Sequence, residues 1–276
     1  MSNVPTLAFN DGTSIPQLGF GVWRVPNDEA ARTVGTAIKA GYRSIDTAAI
    51  YGNEEGVGDA IAASAVPRDQ LYITTKLWNG AQGYDRALKT FDESMQRLRI
   101  DVLDLYLIHW PCPKQDLYID SWKAFAKLKA DGRVRSIGVS NFKPAHLERL
   151  IGETGFVPVL NQVELHPRFQ QKDLRTFHAK HKIATEAWSP LGQGKVLEIP
   201  LLAKLAAKYS RSVAQVILRW HIQNGVIAIP KSSTPSRIAE NFAVFDFQLS
   251  AEDMAKIDSL DDAGGRIGSD PDNVNP

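Results

Sequence analysis

The sequence has 276 residues, of which 43% are hydrophobic and 23% charged, and its formal net charge is +1. A charge so close to zero argues against nucleic acid or an anionic membrane as the main partner. No apolar run approaches the ~20 residues of a membrane helix, and the N-terminal residues lack the pattern of a signal peptide. The single cysteine, Cys112, excludes an internal disulfide. We therefore expect a cytoplasmic α/β protein that folds as one domain over residues 1–276.

The first element predicted is an antiparallel hairpin at residues 7–15, because Asp11 and Gly12 form a typical hairpin turn between apolar residues. Eight strand candidates and the helices between them follow. The strands are predicted at residues 18–22, 43–46, 71–76, 103–109, 134–139, 159–163, 183–187 and 226–229. The helices are predicted at residues 28–40, 53–63, 84–98, 119–130, 144–153, 171–179, 201–209, 213–223 and 235–242. Strands that alternate with helices pair in parallel, because each crossover carries a helix.

This alternation suits either an open doubly wound sheet or a closed barrel, and the polar residues favour the barrel. They stand at or just after the ends of six different strands: Asp46, Lys76, His109, Ser140 with Asn141, Gln162, and Ser189. In a barrel the carboxyl ends of distant strands converge on one catalytic rim. An open sheet would leave the outer strands too far apart. The predicted fold class is therefore α/β, a (β/α)8 TIM barrel with an N-terminal β-hairpin.

Four of the residues near these strand ends suit proton transfer to a carbonyl oxygen: Asp46, Tyr51, Lys76 and His109. A tyrosine is a weak acid with an ordinary pKa of about 10, and a nearby ammonium stabilises the phenolate. A carboxylate would hold the lysine, while the imidazole would hydrogen-bond a substrate oxygen. Taken singly, each residue could instead be a strand cap, a salt-bridge partner, a core histidine or a surface ring. It is less easily explained that four residues with such ordinary roles should all stand on one rim by chance.

Several longer motifs resemble the aldo-keto reductase superfamily, and within it the bacterial 2,5-diketo-D-gluconate reductases. They cover residues 41–53, 103–111, 137–142, 161–167 and 229–232, in the order found in that family. The resemblance implies a (β/α)8 barrel that uses NADPH and is monomeric by family default. It also implies a catalytic tetrad at Asp46, Tyr51, Lys76 and His109, with Tyr51 as the proton donor.

The cofactor site is predicted partly from chemistry and partly from this resemblance. Hydroxyl and amide groups at Ser140, Asn141 and Gln162 can bind a carboxamide from both its donor and acceptor sides, and the family implies that they hold the nicotinamide. The broad face of Trp188 suits stacking on the ring. The other residues assigned to the cofactor are Gly21, Val22, Ser189, Leu191, Gly192, Gln193 and Gly194.

A second part of the cofactor site is expected after the last strand. Lys231 and Arg237 flank a helix that begins near Pro235, and a helix N-terminus attracts phosphate. The resemblance implies that this region, with Ser232, Glu240 and Asn241, binds the 2′-phosphate and the adenine. The alternative for any one of these residues is a solvated basic rim.

The substrate is predicted to be a small carbonyl compound bound between Trp23, Trp78, His109 and Trp110, because aromatic walls exclude water. Cys112 has no base near it in the sequence and is interpreted as a packing residue. Tyr72 and Lys76 match the Tyr-x-x-x-Lys pattern of short-chain dehydrogenases, but the segment is predicted to be a strand, which separates the two side chains.

Two other functions remain as alternatives. One is a barrel that binds the cofactor as a redox sensor or interaction module with little turnover. The other is a metal-dependent barrel hydrolase. The six histidines form no His-x-His or His-Glu-x-x-His pair, so no metal site is predicted.

Overall fold

The computed structural model describes residues 4–275. It opens with the predicted hairpin, in which β1 (Thr6–Ala8) pairs antiparallel with β2 (Ser14–Pro16). Gly12 occupies the turn with a φ of +85°, a conformation that suits glycine. The hairpin prediction is confirmed.

The next eight strands form one parallel sheet in sequential order. They are β3 (Gly19–Gly21), β4 (Ser44–Asp46), β5 (Tyr72–Leu77), β6 (Leu103–Ile108), β7 (Val134–Ser140), β8 (Leu160–Glu164), β9 (Ala184–Trp188) and β10 (Ile227–Ala228). The sheet closes on itself through a parallel bridge between Leu18 and Ala228 and a hydrogen bond from the Gly21 amide to the Pro230 carbonyl. The predicted barrel and the strand assignment of Tyr72 and Lys76 are confirmed.

Helices surround the barrel on its outer side. They are α1 (Asn27–Ala40), α2 (Glu54–Ala62), α3 (Tyr84–Leu98), α4 (Tyr118–Ala130), α5 (Pro144–Thr154), α6 (Lys172–His181), α7 (Pro200–Tyr209), α8 (Val213–Gln223), α9 (Pro235–Phe242) and α10 (Ala251–Asp258). Each predicted helix is present to within two residues at either end. None of the helices within residues 4–275 is long and apolar enough to cross a membrane.

Helix α10 is the one that the sequence analysis omitted. A local signal for it exists, because Ser250 caps the helix by accepting a hydrogen bond from the Asp253 amide. A serine three residues before an acidic residue is typical of a helix start. The apolar pattern after Ser250 is too short to predict a helix by itself.

The hairpin seals the amino-terminal end of the barrel. Phe9 and Ile15 pack in a buried cluster with Leu105, Leu107 and Leu160, which come from the barrel strands. An ion pair between Asp11 and Lys129 holds the hairpin turn, and Ser136 Oγ donates a hydrogen bond to Asp11 Oδ2. Any small-molecule site is therefore expected at the opposite, carboxyl end of the strands.

Candidate active site

The centre of the carboxyl end holds a buried ion pair. Asp46 ends β4 and Lys76 lies on β5, and Lys76 Nζ donates to Asp46 Oδ1 at 2.6 Å and to the Thr47 carbonyl at 2.8 Å. The Lys76 side chain has no solvent exposure. Burial opposes its charge, but Asp46 and Tyr51 together outweigh this and raise the pKa of Lys76 above its ordinary value. The structure thus provides a fixed positive charge under the mouth of the barrel.

Tyr51 and His109 lie together above this pair. Tyr51 ends a short 3-10 helix (Ala49–Tyr51), and its ring centroid lies 5.2 Å from Lys76 Nζ and 5.7 Å from the centroid of His109. His109 follows β6, and its ring is also in edge contact with Trp78 at 5.3 Å. All four residues of the predicted tetrad are therefore brought together at one end of the barrel.

The electrostatics of Tyr51 differ from the simplest expectation. Burial raises the pKa of the phenol, and the nearby Lys76 ammonium offsets only part of the rise because the Asp46 carboxylate acts in the opposite direction. The phenol thus keeps its proton at neutral pH. Lys76 remains the one group in contact with Tyr51 that favours the phenolate, and so it can assist release of the proton.

His109 is neutral at physiological pH. Burial, helped by the Lys76 charge, lowers the pKa of His109 well below its ordinary value. Its Nδ1 atom is buried and has no hydrogen-bond partner within residues 4–275. Because Nδ1 is enclosed, Nε2 is the ring nitrogen that a substrate oxygen can reach.

A second carboxyl group lies beside the tetrad and was not predicted. Gln162 Nε2 donates to Asp46 Oδ2 at 2.8 Å and to Glu186 Oε2 at 2.7 Å, which links β4, β8 and β9 across the barrel. Burial raises the pKa of Glu186 to about 8, and the Asp46 carboxylate adds to the rise. The available signal was an acidic residue inside a short apolar strand, two positions before Trp188.

The three residues at the ends of β7 and β9 are bonded to one another. Ser140 Oγ donates to the Gln162 carbonyl at 2.8 Å, and Asn141 Nδ2 donates to the His109 carbonyl at 2.9 Å. Asn141 Oδ1 accepts from Trp188 Nε1 at 2.7 Å. Asn141 therefore fixes the plane of the half-buried Trp188 ring, and both Ser140 and Asn141 already have partners in the chain.

The loop after β9 carries the predicted glycine pair. Residues Gly192–Gly194 form a single 3-10 turn in which Gly192, Gln193 and Gly194 all have positive φ. A side chain at Gly192 would collide with Val196, whereas the space around Gly194 is open. Ser189 and Leu191 are half-buried in the same loop. The backbone at Gly194 is therefore accessible at the rim.

Gly21 and Val22 lie across the barrel seam from that region. Both are buried, and a side chain at Gly21 would meet the Ile229 carbonyl at 3.1 Å. Val22 donates its amide to the Asp46 carbonyl at 3.1 Å. These two residues shape the floor beside Asp46.

The predicted phosphate region is an exposed positive rim. Lys231 follows β10 and Arg237 lies in the first turn of α9; both are exposed, and neither forms an ion pair with any described residue. Ser232 is half-buried, Glu240 is exposed and Asn241 is buried. Two unpaired cations at a helix N-terminus suit a phosphate group.

Aromatic side chains surround the mouth. Trp78 and Trp110 are half-buried, and Trp23 is 40% exposed with the Arg24 guanidinium stacked 4.2 Å from its ring. Cys112 is buried, and burial raises the pKa of its thiol to about 11, in agreement with a packing residue. Among the described residues no group of three or more His, Cys, Asp or Glu side chains could hold a metal ion.

The chain after α10 returns to this rim, which the sequence did not indicate. Glu164 accepts hydrogen bonds from the amides of Ile267 at 2.6 Å and Gly268 at 2.7 Å, and it also contacts His166 Nε2 at 3.0 Å. A side chain at Gly268 would lie 2.5 Å from Cη2 of Trp188. The C-terminal segment therefore supports the edge of Trp188.

Comparison with known proteins agrees with this geometry. The model of the Aldo/keto reductase family matches residues 16–262. The chain belongs to the aldo/keto reductase family. It is therefore an oxidoreductase, and the resemblance noted from its motifs is confirmed.

Relatives cover nearly the whole aldo/keto reductase chain. An aldo-keto reductase of Mycobacterium sp. (strain KMS) is 56% identical over 271 residues, which are 98% of each chain. Methylglyoxal reductase DkgA of Salmonella typhimurium is 51% identical over 99% of this chain and 98% of its own. The solved apo structure of Gox0644 has a TM-score of 0.96 at 53% identity and 99% coverage of both chains, and a substituted form of Gox0644 has been solved in complex with NADPH.

Proposed function

We propose that this aldo/keto reductase uses NADPH to reduce small carbonyl compounds, with Tyr51 as the proton donor. The observation that carries the proposal is the buried Asp46–Lys76 pair directly under Tyr51 and His109. When bound, NADPH supplies the hydride that adds to the carbonyl carbon. The chain supplies the proton for the oxygen and the groups that orient the carbonyl.

The residues at the rim fit this cofactor. Within residues 4–275 the Gln162 side-chain oxygen accepts no hydrogen bond, so it is available to the amide group of the nicotinamide. Trp188 offers a half-buried ring whose plane is fixed by Asn141. Lys231 and Arg237 provide unpaired charges for the 2′-phosphate, and the solved complex of Gox0644 with NADPH supports the same choice. Ser140 holds the Gln162 main chain and Asn141 holds Trp188, and the second lone pair of Asn141 Oδ1 can still accept from the nicotinamide amide.

The catalytic step follows from the positions of the four polar groups. Neutral His109 donates Nε2–H to the carbonyl oxygen and so places it against the Tyr51 hydroxyl. The phenol gives up its proton as charge develops on that oxygen, and Lys76 stabilises the phenolate that remains. Asp46 holds Lys76 in place. The aromatic walls at Trp78 and Trp110 exclude water from the reaction.

The finer part of the proposal concerns the substrate. The aromatic mouth suits small aldehydes and α-dicarbonyl compounds, and the motifs suggest keto-sugar acids such as 2,5-diketo-D-gluconate. Methylglyoxal belongs on the same panel, because the Salmonella relative is named for its reduction. Initial rates of NADPH oxidation over this panel, compared as kcat/KM, identify the preferred compound. A chain that binds NADPH but turns over none of them would instead be a sensing or interaction barrel.

The test of the mechanism is Tyr51→Phe, which keeps the ring and removes the proton. Turnover is expected to fall by about 100-fold or more, the scale of general acid catalysis, while the Kd for NADPH stays within about twofold, well under the tenfold that one good hydrogen bond is worth. Tyr84→Phe on α3 serves as the control, because that tyrosine is exposed on a helix. Full activity in Tyr51→Phe would remove Tyr51 from the mechanism.

A further inference from the structure

Glu186 is a buried carboxyl group that the catalytic step does not use. It lies on β9 with only 1% of its surface exposed, and its register partner on β8 is Gln162. Side chains alternate between the two faces of a strand, so Glu186 shares a face with Trp188, two residues further on. Glu186 therefore lies one step below the ring on which we place the nicotinamide.

The hydrogen bonds of Gln162 define which end of its amide points where. A single atom, Nε2, lies 2.8 Å from Asp46 Oδ2 and 2.7 Å from Glu186 Oε2. The Asp46 carboxylate can only accept hydrogen bonds, so the atom beside its Oδ2 must be the amide nitrogen, which carries hydrogens to donate. Both N–H groups are thereby occupied, and the amide oxygen is left as the group that can accept.

We infer that Glu186 is a positioning residue for the cofactor: it fixes the Gln162 amide so that its oxygen accepts from the carboxamide N–H of the nicotinamide. The inference rests on the proposed function, because it requires the nicotinamide to lie at Gln162. Asp46 alone would hold one N–H and leave the amide plane free to rotate about that bond. The second acceptor, Glu186, fixes the plane.

The ionisation of Glu186 agrees with this role. Burial and the Asp46 carboxylate raise the pKa of Glu186 to about 8, against smaller opposing effects of Gln162 and Lys76. The carboxyl group is therefore largely neutral at pH 7. A neutral carboxyl still accepts a hydrogen bond through its carbonyl oxygen, and it does not compete with Asp46 for the single positive charge on Lys76.

The experiment compares two cofactors that differ only at the carboxamide. NADP⁺ and its 3-acetylpyridine analogue, in which a methyl group replaces the amide nitrogen, are titrated by calorimetry into each variant without substrate. The wild type is expected to bind NADP⁺ about tenfold more tightly than the analogue, the value of one good hydrogen bond. Glu186→Met, which keeps the length of the side chain but removes the strong acceptor, is expected to reduce this ratio to about twofold or less.

Two further variants separate positioning from general damage to β9. Glu186→Gln keeps an acceptor oxygen and is expected to retain at least about half of the wild-type ratio. Thr185→Val changes the neighbouring residue, which faces the other side of the strand and contacts His178, and should leave the ratio unchanged. If Glu186→Met does not fold, Glu186→Val takes its place with the same expectation.

The outcomes distinguish this inference from the proposed function. A wild type that binds the two cofactors equally would overturn the inference, while its NADPH-dependent turnover could still stand. An undiminished ratio in Glu186→Met, or complete loss of the ratio in Glu186→Gln, would also overturn it. Equal weakening of both cofactors by Glu186→Met would show that Glu186 only supports the strand.

Discussion

The N-terminal hairpin and the carboxyl-end rim of the barrel treat their polar groups differently. At the amino-terminal end the hairpin satisfies its own: Asn10 Nδ2 donates to the Pro158 and Lys182 carbonyls, and Asp11 accepts from Thr13 and Ser136 beside its ion pair with Lys129. Burial opposes the charge of Asp11, but these partners prevail and lower its pKa. These polar groups of the hairpin turn therefore have their partners within the chain.

At the carboxyl end, groups of the same kinds are left without partners among the described residues. The Gln162 amide oxygen accepts no hydrogen bond there, and the cations Lys231 and Arg237 form no ion pair. These groups lie where the cofactor is proposed to bind. The comparison therefore separates residues that stabilise the fold from residues that await a ligand, and substitutions at the two ends should divide in the same way.

The largest effect is expected from Lys76→Met, which removes the buried charge. Turnover should fall by about 100-fold or more, since the phenolate of Tyr51 loses the Lys76 cation that stabilises it. The residual rate should increase as the pH is lowered, because the proton must then come from solvent. A pH profile of kcat with methylglyoxal, corrected for the folded fraction, checks both points, and an unchanged profile would contradict the role given to Lys76.

The same variant should also be less stable. Removing one partner of a buried ion pair costs about 3–5 kcal/mol, because the other charge stays buried without compensation. Arg99→Met, which breaks the exposed pair with Asp59, is a suitable control and should change the free energy of unfolding by less than about 1 kcal/mol. Urea unfolding followed by circular dichroism measures both variants.

The next largest effect lies at the closed end. Ile15→Ala should cost about 2–5 kcal/mol of stability, because the residue is fully buried where the hairpin seals the barrel. The kcat/KM of the folded fraction should not change. Ile50→Ala at the mouth is the matched control: Ile50 is 47% exposed and should give a change below about 0.5 kcal/mol. A large loss of activity per folded molecule in Ile15→Ala would contradict the distinction between residues that stabilise the fold and residues that bind a ligand.

A smaller effect is expected at the positive rim. Arg237→Ala should reduce the preference for NADPH over NADH in kcat/KM by about tenfold, since one charge-assisted contact to the 2′-phosphate is lost. Use of NADH should hardly change. The preference of the wild type should also weaken as salt is raised, because both cations are exposed.

Arg32→Ala on α1 is the control for this variant, since Arg32 is also exposed but pairs with Glu29 of its own helix. Equal loss of both cofactors in Arg237→Ala, or a wild type without preference, would identify the cluster as an ordinary basic rim.

The last prediction is a pH dependence of stability. Because the pKa of Glu186 is raised to about 8 in the folded chain, the folded state holds a proton that the unfolded chain releases at lower pH. Its contribution to stability is complete below the ordinary pKa of a glutamate and is lost as the pH rises through about 8. The slope is at most about 1.4 kcal/mol per pH unit.

Urea unfolding of the wild type and Glu186→Gln between pH 5 and 9 tests this dependence. The stability of the wild type relative to the variant should fall as the pH rises. Parallel curves would mean that Glu186 titrates normally.

The residues of the rim could be predicted from the sequence because strands that are distant in the chain end at the same rim of a barrel. Once the strands are placed, Asp46, Lys76, His109 and Gln162 must converge, whatever the distances between them in the chain. Tyr51 follows from its position just after such a strand end. The hairpin is equally local, since Asp11 and Gly12 define its turn.

What the sequence could not predict depends on register and on long loops. Glu186 acts through Gln162 only because β8 and β9 pair in one particular register. Glu164 meets the Gly268 amide across 104 positions of chain, and no local pattern encodes that contact. The mutual pairing of Ser140, Asn141 and Trp188 likewise appears only when the side chains are in place.

The seam of the barrel has a consequence for its dynamics. β3 and β10 are joined by one bridge and a few amide bonds, whereas β6 and β7 are in register over most of their length. The seam brings together residues that are about 200 positions apart, and closing such a distance is entropically unfavourable. Local opening should therefore begin at the seam, and the amides of Gly21 and Ala228 should exchange their hydrogens with solvent faster than those of β6. Because the proposed cofactor residues Gly21 and Lys231 lie on opposite sides of the seam, NADPH would slow that exchange by bridging it.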